Sequence, residues 1–239
     1  MTATLRSIRR YPVKAMTGES LDAVLVDDRG LAGDRWWAVT DAEGRLASHK
    51  DSRRFRRRDG IEEFSAATSE DGSVRVVGPD GTTWTVGDPG LDAALSSRLG
   101  TAVSPRTEVH VPHQDAGAVS LVGTATLRWC AERWGVDADP QRLRVNLLVE
   151  TEEPFVEESW VDRDLAVGDV VLHVVERVER CRTIDLAQDG LASPTRWLKP
   201  LGRERDLCLA VYADVVTRGD LTVGDAVTPV STTKLLVSG

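Results

Sequence analysis

The chain has 239 residues and 41% hydrophobic content, which suffices for one large β-rich domain or two small ones. Three cysteines are too few for a disulfide framework, the opening "MTATLRSIRRYPVKAM" lacks the apolar core of a signal peptide, and no apolar run reaches the roughly 18 residues of a membrane span. A net charge of −8 excludes wholesale nucleic-acid binding, because polyphosphate affinity comes from excess Lys and Arg, so the expectation is a reduced, cytoplasmic protein without nucleic acid or membrane as partner.

Along the chain, "LDAVLVDDRG", "DRWWAVTDAEGRLASHK" and "SVRVVGPDGTTWTVGD" read as strands or hairpins, with turns at 42–44 and 79–81. The basic knot "SRRFRRRDG" carries Arg53, Arg54, Arg56, Arg57 and Arg58; it suits an anion or an acidic partner, or a solvated loop whose arginines pair with acids such as Glu62 and Glu63. Leu91, Leu95 and Leu99 predict a helix stopped by Gly100, and "GTATLRWCAERWG" predicts another with Thr124 as cap and Gly135 as stop. Periodicity lapses over 100–118, which divides the chain into 1–105 and 106–230, followed by a tail over 231–239. "LAVGD" at 165–169, "LTVGD" at 221–225 and "VGD" at 86–88 read as recurrent turns rather than phosphate loops. The class expected is mostly β (α+β), with sheets or barrels and a few short helices.

The cysteines differ in setting. Cys130 shares a helical face with Leu127 and Trp134 and reads as core, and Cys208 shares a strand face with Ala210 and Tyr212 and reads as a small hydrophobe. Cys181 stands between Arg180 and Arg182. If 179–184 is extended, both arginines project away from the thiol, Thr183 and Asp185 share its face, and any activating charge comes from elsewhere. A lone cysteine without a nearby His or second Cys fits no zinc or protease pattern.

Several segments taken together resemble the MOSC family, which includes relatives of the mitochondrial amidoxime-reducing component: "YPVKAMTGESLDAVLVDDRGLAGDRWWAVTD", "ASHK", "GTATL", "RLRVNLLVE", "ERCRTIDLAQ" and "AVYADVVTRGDLTVGD". The resemblance implies a MOSC-type β-barrel with an N-terminal β-barrel portion. It implies that Cys181 is the protein ligand to molybdenum in a pterin cofactor (molybdopterin), a role suited to a soft, charged thiolate. By position in the motifs, Lys14, Arg35 and Arg144 would hold the cofactor phosphate, supported by Ser48, Lys50, Thr124 and Asn146. Asp34 either orients Arg35 or closes a turn with Gly33.

The implied activity is reduction of N-hydroxylated small molecules, with electrons from a separate ferredoxin, flavoprotein or haem protein, since three cysteines cannot supply an iron–sulfur cluster. The chain departs from relatives after the cysteine, where Arg182, Thr183, Ile184 and Asp185 stand, and Ser120 replaces a histidine. Asp185 on the cysteine's face would favour cationic substrates such as amidoximes or hydroxyguanidines, unless a bulge turns it to solvent. Two other functions remain open: a sulfur carrier with a persulfide on Cys181, and a binding module that has lost the cofactor. A pyridoxal-phosphate Schiff base at Lys14 or Lys50 is not expected, because the domain that carries such chemistry in fused sulfurases is missing from this sequence.

Overall fold

Leu5 and Ile8 lie three residues apart, out of phase for a regular strand, yet both are fully buried. A bulge between Leu5 and Ser7 restores the phase where strand Ala3–Arg10 pairs with Leu147–Glu150. The computed structural model describes residues 3–110, 112–188, 190–191 and 196–230. The sequence expectation for 231–239 lies outside these residues.

Ala3–Arg10 is one stave of a closed seven-stranded barrel that continues through Leu147–Glu150, Val119–Gly123, Cys208–Thr217, Val170–Glu179, Arg163–Val167 and Ala226–Pro229, then returns to Ala3–Arg10. All neighbours are antiparallel except Val119–Gly123 and Leu147–Glu150, which run parallel. Closure leaves no strand edge open among these staves. Leu5, Ile8, Leu121, Leu147, Leu165 and Leu172 fill the interior. The first stave thus comes from the far side of the sequence division near residue 105.

Ala23–Asp27 and Gly30–Leu31 pair with Gly219–Thr222 and pack into this first core, while most of the rest of the N-terminal half forms small sheets around a second core. Val103–Thr107, Trp37–Asp41, Leu46–Ser48 and Phe55–Arg57 make one sheet, and Ser65–Thr68, Val74–Val77 and Thr83–Thr85 make another. Helix α1 (Pro89–Leu99) is capped by the Asp88 side chain on the Gly90 amide and stopped by Gly100 at φ 69°. It sends Leu91 and Leu95 into a core shared with Met16, Val39, Ile61 and Phe64. The hairpins and this helix follow the sequence expectation.

Helix α2 (Thr124–Trp134) also forms as expected, but its cap is Gly123 rather than Thr124. The Thr124 hydroxyl instead exchanges bonds with Thr151, accepting from its amide at 3.1 Å. Cys130 is fully buried on this helix, in a third core with Leu127, Ile184, Trp197 and Leu201, the last from helix α3 (Leu198–Glu204). Burial pushes the Cys130 thiol up to about 12, so it is a packing group. Of the two "VGD" turns of the C-terminal half, the first links two barrel strands and the second leads from Gly219–Thr222, in a small separate sheet, into the barrel strand Ala226–Pro229; Gly168 at φ 55° and Gly224 at φ 101° take conformations open to residues without a Cβ. Among the described residues, no helix is long and apolar enough to cross a membrane.

Candidate functional site

The second and third cores and one end of the barrel meet at a cleft of about 910 Å³, open mouth included. Lys14, Arg35, Ser48, Lys50, Arg144, Asn146 and Cys181 all line it. Of the residues singled out in the sequence, Thr124 and Asp185 do not line it.

Cys181 reaches the cleft because the strand stops short of it. Val170–Glu179 pairs with Cys208–Thr217 through register shifts at Val174/Glu176 and Arg177/Glu179. Cys181 then opens a 3-10 turn over Arg182–Asp185, closed by the Ile184 amide on the Cys181 carbonyl at 3.2 Å. The extended run expected through 184 is therefore corrected. The turn forms because Ile184 is needed in the third core, where it is 2% exposed, and because Asp185 is drawn elsewhere. Its carboxylate accepts the amides of Trp197 at 2.6 Å and Leu198 at 3.3 Å, at the start of α3. Asp185 thus holds a helix end, and the expected preference for cationic substrates loses its basis.

The cations are set by backbone outliers. Ala15, Arg35 and Arg144 line the cleft with φ of 68°, 50° and 51°, a left-handed conformation that costs a residue with a Cβ roughly 1–2 kcal/mol. The two guanidinium groups stack on the buried Tyr11 ring, at 4.8 Å for Arg35 and 4.3 Å for Arg144. Arg35 donates to the Arg144 carbonyl at 3.0 Å, and Arg144 to the Met16 carbonyl at 2.6 Å. Asp34, fully buried, pairs with Arg35 and accepts the Tyr11 amide at 2.8 Å, so it orients the arginine. Asn146 is held by Ser120 and by the Arg9 carbonyl, and works chiefly as a clamp between strands.

Lys14 is 3% exposed, and burial lowers its ammonium to about 8. Its counter-ion is Asp115, at 3.4 Å, which also meets Lys50 at 3.2 Å. Burial works to raise the Asp115 carboxyl, but Lys14, Lys50 and Arg35 outweigh it and hold the group well below the usual carboxylate range.

Sequence reading missed Asp115 and three more residues here. Arg180, expected to point away, lines the cleft and is partly buried, with its Nε on the Leu209 carbonyl at 2.7 Å and Nη1 on the Leu143 carbonyl at 2.7 Å. The Leu209 carbonyl is available because Ala210 sits at φ 74°, where the ladder slips. The Arg180 Nη2 has no hydrogen-bond partner among the described residues, and burial lowers the group to about 10. The other two extend from the thiol. Cys181 Sγ lies 3.1 Å from Thr183 Oγ1, which lies 3.1 Å from His49 Nδ1, and His49 Nε2 lies 3.1 Å from Glu62 Oε2.

Hydrogen-bond accounting gives this chain a direction. Burial would raise Glu62, but His49 and the backbone hold it below its ordinary value, so it is ionised and takes the Nε2–H. In the Nε2–H tautomer, His49 Nδ1 accepts from the Thr183 hydroxyl, which leaves the Thr183 oxygen to accept from the Cys181 thiol.

The basic knot is not the free anion site it could have been, and its acids are not Glu62 and Glu63. Arg57 pairs with Asp59, Arg58 with Asp41 and Arg56 with Asp51, while Glu62 meets His49 and Glu63 meets Arg98. Among the described residues, no group of His, Cys, Asp and Glu side chains converges as a metal site of its own.

Comparison with known proteins agrees with the architecture. Residues 107–228 match the MOSC domain and residues 2–100 match the MOSC N-terminal beta barrel domain. The YUAD protein from Bacillus subtilis is 13% identical, with a TM-score of 0.50 over 95% of this chain and 94% of that one. YiiM from Geobacillus stearothermophilus is 14% identical, with a TM-score of 0.37 over 63% of this chain and 67% of that one. YiiM from Escherichia coli is 13% identical, with a TM-score of 0.36 over 48% of this chain and 55% of that one. No curated protein matches the sequence. With both patterns matched in order along a chain whose staves close into the barrel described above, the protein belongs to the MOSC domain family.

Proposed function

We propose that this protein holds a molybdenum pterin cofactor through Cys181 and reduces an N-oxygenated small molecule with electrons from a separate donor protein in the cytoplasm. The observation that carries the reading is the convergence of one thiol with Lys14, Arg35, Lys50, Arg144 and Arg180 on a single cleft. The donor set fits the group. A pterin phosphate needs fixed cations, which Arg35 and Arg144 offer at some conformational cost, and the buried Arg180 Nη2 still lacks an acceptor. A metal already held by dithiolene sulfurs needs only one soft protein ligand, which suits a cleft where the described residues bring together no metal-ligand cluster of their own.

In this reading Cys181 ligates the metal, Lys14, Arg35 and Arg144 hold the phosphate, and Ser48 and Lys50 border it. When bound, such a cofactor supplies oxygen-atom abstraction coupled to electron transfer. The chain's own part is to bind and orient it, to fix Arg35 with Asp34, and to keep the thiol hydrogen-bonded through Thr183. The test is metal and pterin analysis of protein made in a host that synthesises the cofactor; the expected result is about one molybdenum per chain, and metal-free protein from that host overturns the reading.

A second reading, a sulfur carrier with a persulfide on Cys181, draws on the Thr183–His49–Glu62 chain, which offers the thiol a route to a base without any metal. Labile sulfane sulfur on metal-free protein would favour it.

A further inference from the structure

The Asp115 carboxylate spans the two lysines of the cleft with one oxygen on each, Oδ2 at 3.4 Å from Lys14 Nζ and Oδ1 at 3.2 Å from Lys50 Nζ. Both ammonium groups also stand over the face of Phe55, at 4.7 and 5.0 Å from its centroid. Two oxygens of one anion, shared by two ammonium groups over an aromatic floor, is the arrangement a phosphate would adopt there. The seat is filled by the protein itself.

The backbone beside Asp115 is pinned on both sides. Arg54 Nη2 donates to the carbonyls of Pro112 at 2.8 Å and Gln114 at 2.5 Å. Gly117 lies so close to Tyr212 that a Cβ would fall 2.6 Å from the tyrosine Cβ. The side chain is the part with room to move, since it is 40% exposed while that of Lys14 is 4% exposed. Asp115 also borders an adjoining cleft whose lining includes Arg54, the acids Asp28 and Asp214, and Arg29 already paired with Glu108. The Nε of Arg54 is buried and has no hydrogen-bond partner among the described residues. On one side of the 112–117 strap a carboxylate thus sits where a ligand anion would go, and the other side is bordered by an arginine with a nitrogen that lacks an acceptor.

We propose that Asp115 is the resting counter-ion of an anion subsite on Lys14 and Lys50, and that a phosphate-bearing ligand displaces its carboxylate toward Arg54 in the adjoining cleft. The physical reason is charge. A carboxylate and a phosphate dianion on the same pair of lysines repel each other in a partly desolvated cleft, so one must leave, and the phosphate brings more charge and more acceptor oxygens to the lysines. The identity of the ligand rests on the cofactor reading above; the exchange of anions does not.

The experiment is calorimetric titration of the full, cofactor-free chain with inorganic pyrophosphate at fixed ionic strength. Asp115→Asn is expected to bind about tenfold more tightly than wild type, equivalent to about 1.4 kcal/mol, and Lys14→Met to lose binding. Arg54→Gln is expected to weaken binding severalfold in the wild-type background and to have no effect in the Asp115→Asn background, where no carboxylate needs a second seat. Equal or weaker binding by Asp115→Asn would show that Asp115 merely organises the lysines and would overturn the proposal. A loss from Arg54→Gln of the same size in both backgrounds would assign Arg54 to holding the strap and overturn the displacement. Should Asp115→Asn fail to fold, unchanged affinity in Arg54→Gln alone rejects the second seat. Metal analysis separates this from the cofactor reading: tighter pyrophosphate binding by protein that never acquires molybdenum would retain the anion exchange and discard the cofactor.

Discussion

Lys14→Met tests whether the cleft keeps a charge at the expense of stability. The Lys14 ammonium is lowered from 10.5 to about 8 in the folded protein, chiefly by burial. Every tenfold loss of proton affinity corresponds to about 1.4 kcal/mol, so the folded state bears a penalty of about 3 kcal/mol at pH 7 for holding this charge. The sign follows from proton counting. Between about 8 and 10.5 the unfolded chain binds more protons than the folded one, so wild-type stability should rise with pH across that window, the penalty falling to about 1 kcal/mol near pH 9.5. Methionine has a similar length and no charge, and Asp115 keeps Lys50 as partner. The expected outcome in urea unfolding is a variant more stable than wild type by about 1–3 kcal/mol at pH 7, allowing for lost hydrogen bonding and packing, with the advantage shrinking above pH 8 while pyrophosphate binding disappears. A variant less stable than wild type at pH 7, with the same difference at pH 9.5, would refute the claim that the lysine is retained for a ligand.

Cys181→Ala should abolish molybdenum retention with the fold intact, whereas Cys130→Ala should cost on the order of 1 kcal/mol in packing and leave metal content unchanged, as read by metal analysis and denaturation. Asp185→Ala should destabilise by about 1 kcal/mol through loss of the cap on Trp197 and Leu198, and should leave the ratio of charged to neutral N-hydroxylated substrates reduced unchanged. His49→Ala should slow iodoacetamide alkylation of Cys181 in the metal-free protein at pH 7 severalfold, with Glu62→Gln acting in the same direction; an equal rate would detach the relay from the thiol.

What was legible in the sequence was what is local. Helix α1 carries its cap, apolar spacing and stop within 88–100, and the hairpins carry their turns between their strands. Barrel closure has no such local mark, because Thr4 pairs with Glu150, and the short, irregular Ala3–Arg10 shows its buried face only once the bulge re-phases it. Lys14, Arg35, Ser48, Lys50, Arg144, Asn146 and Cys181, which the family motifs singled out, line one cleft, although Arg35 and Arg144 lie 109 residues apart. The motifs did not distinguish a side chain facing the cleft from one clamped to backbone, as Thr124 is by Thr151.

The surroundings of Cys181 show why the rest was not readable. Alternation along a strand holds only while the ladder does, and here the ladder slips at Arg177/Glu179 and gives way to a 3-10 turn. Past that point each side chain goes where its chemistry is satisfied: Ile184 into the core, Asp185 to a helix end, and Arg180 onto carbonyls that a slipped register exposes. The thiol's histidine lies 134 residues from the Thr183 that links them, so no local spacing could announce it. The same segment that breaks the strand rule therefore carries the thiol, the first link of its relay at Thr183 and a guanidinium nitrogen of Arg180 without an acceptor among the described residues. Local rules fail where the chain gives up regular pairing to aim particular groups, and in this protein that place is the cleft.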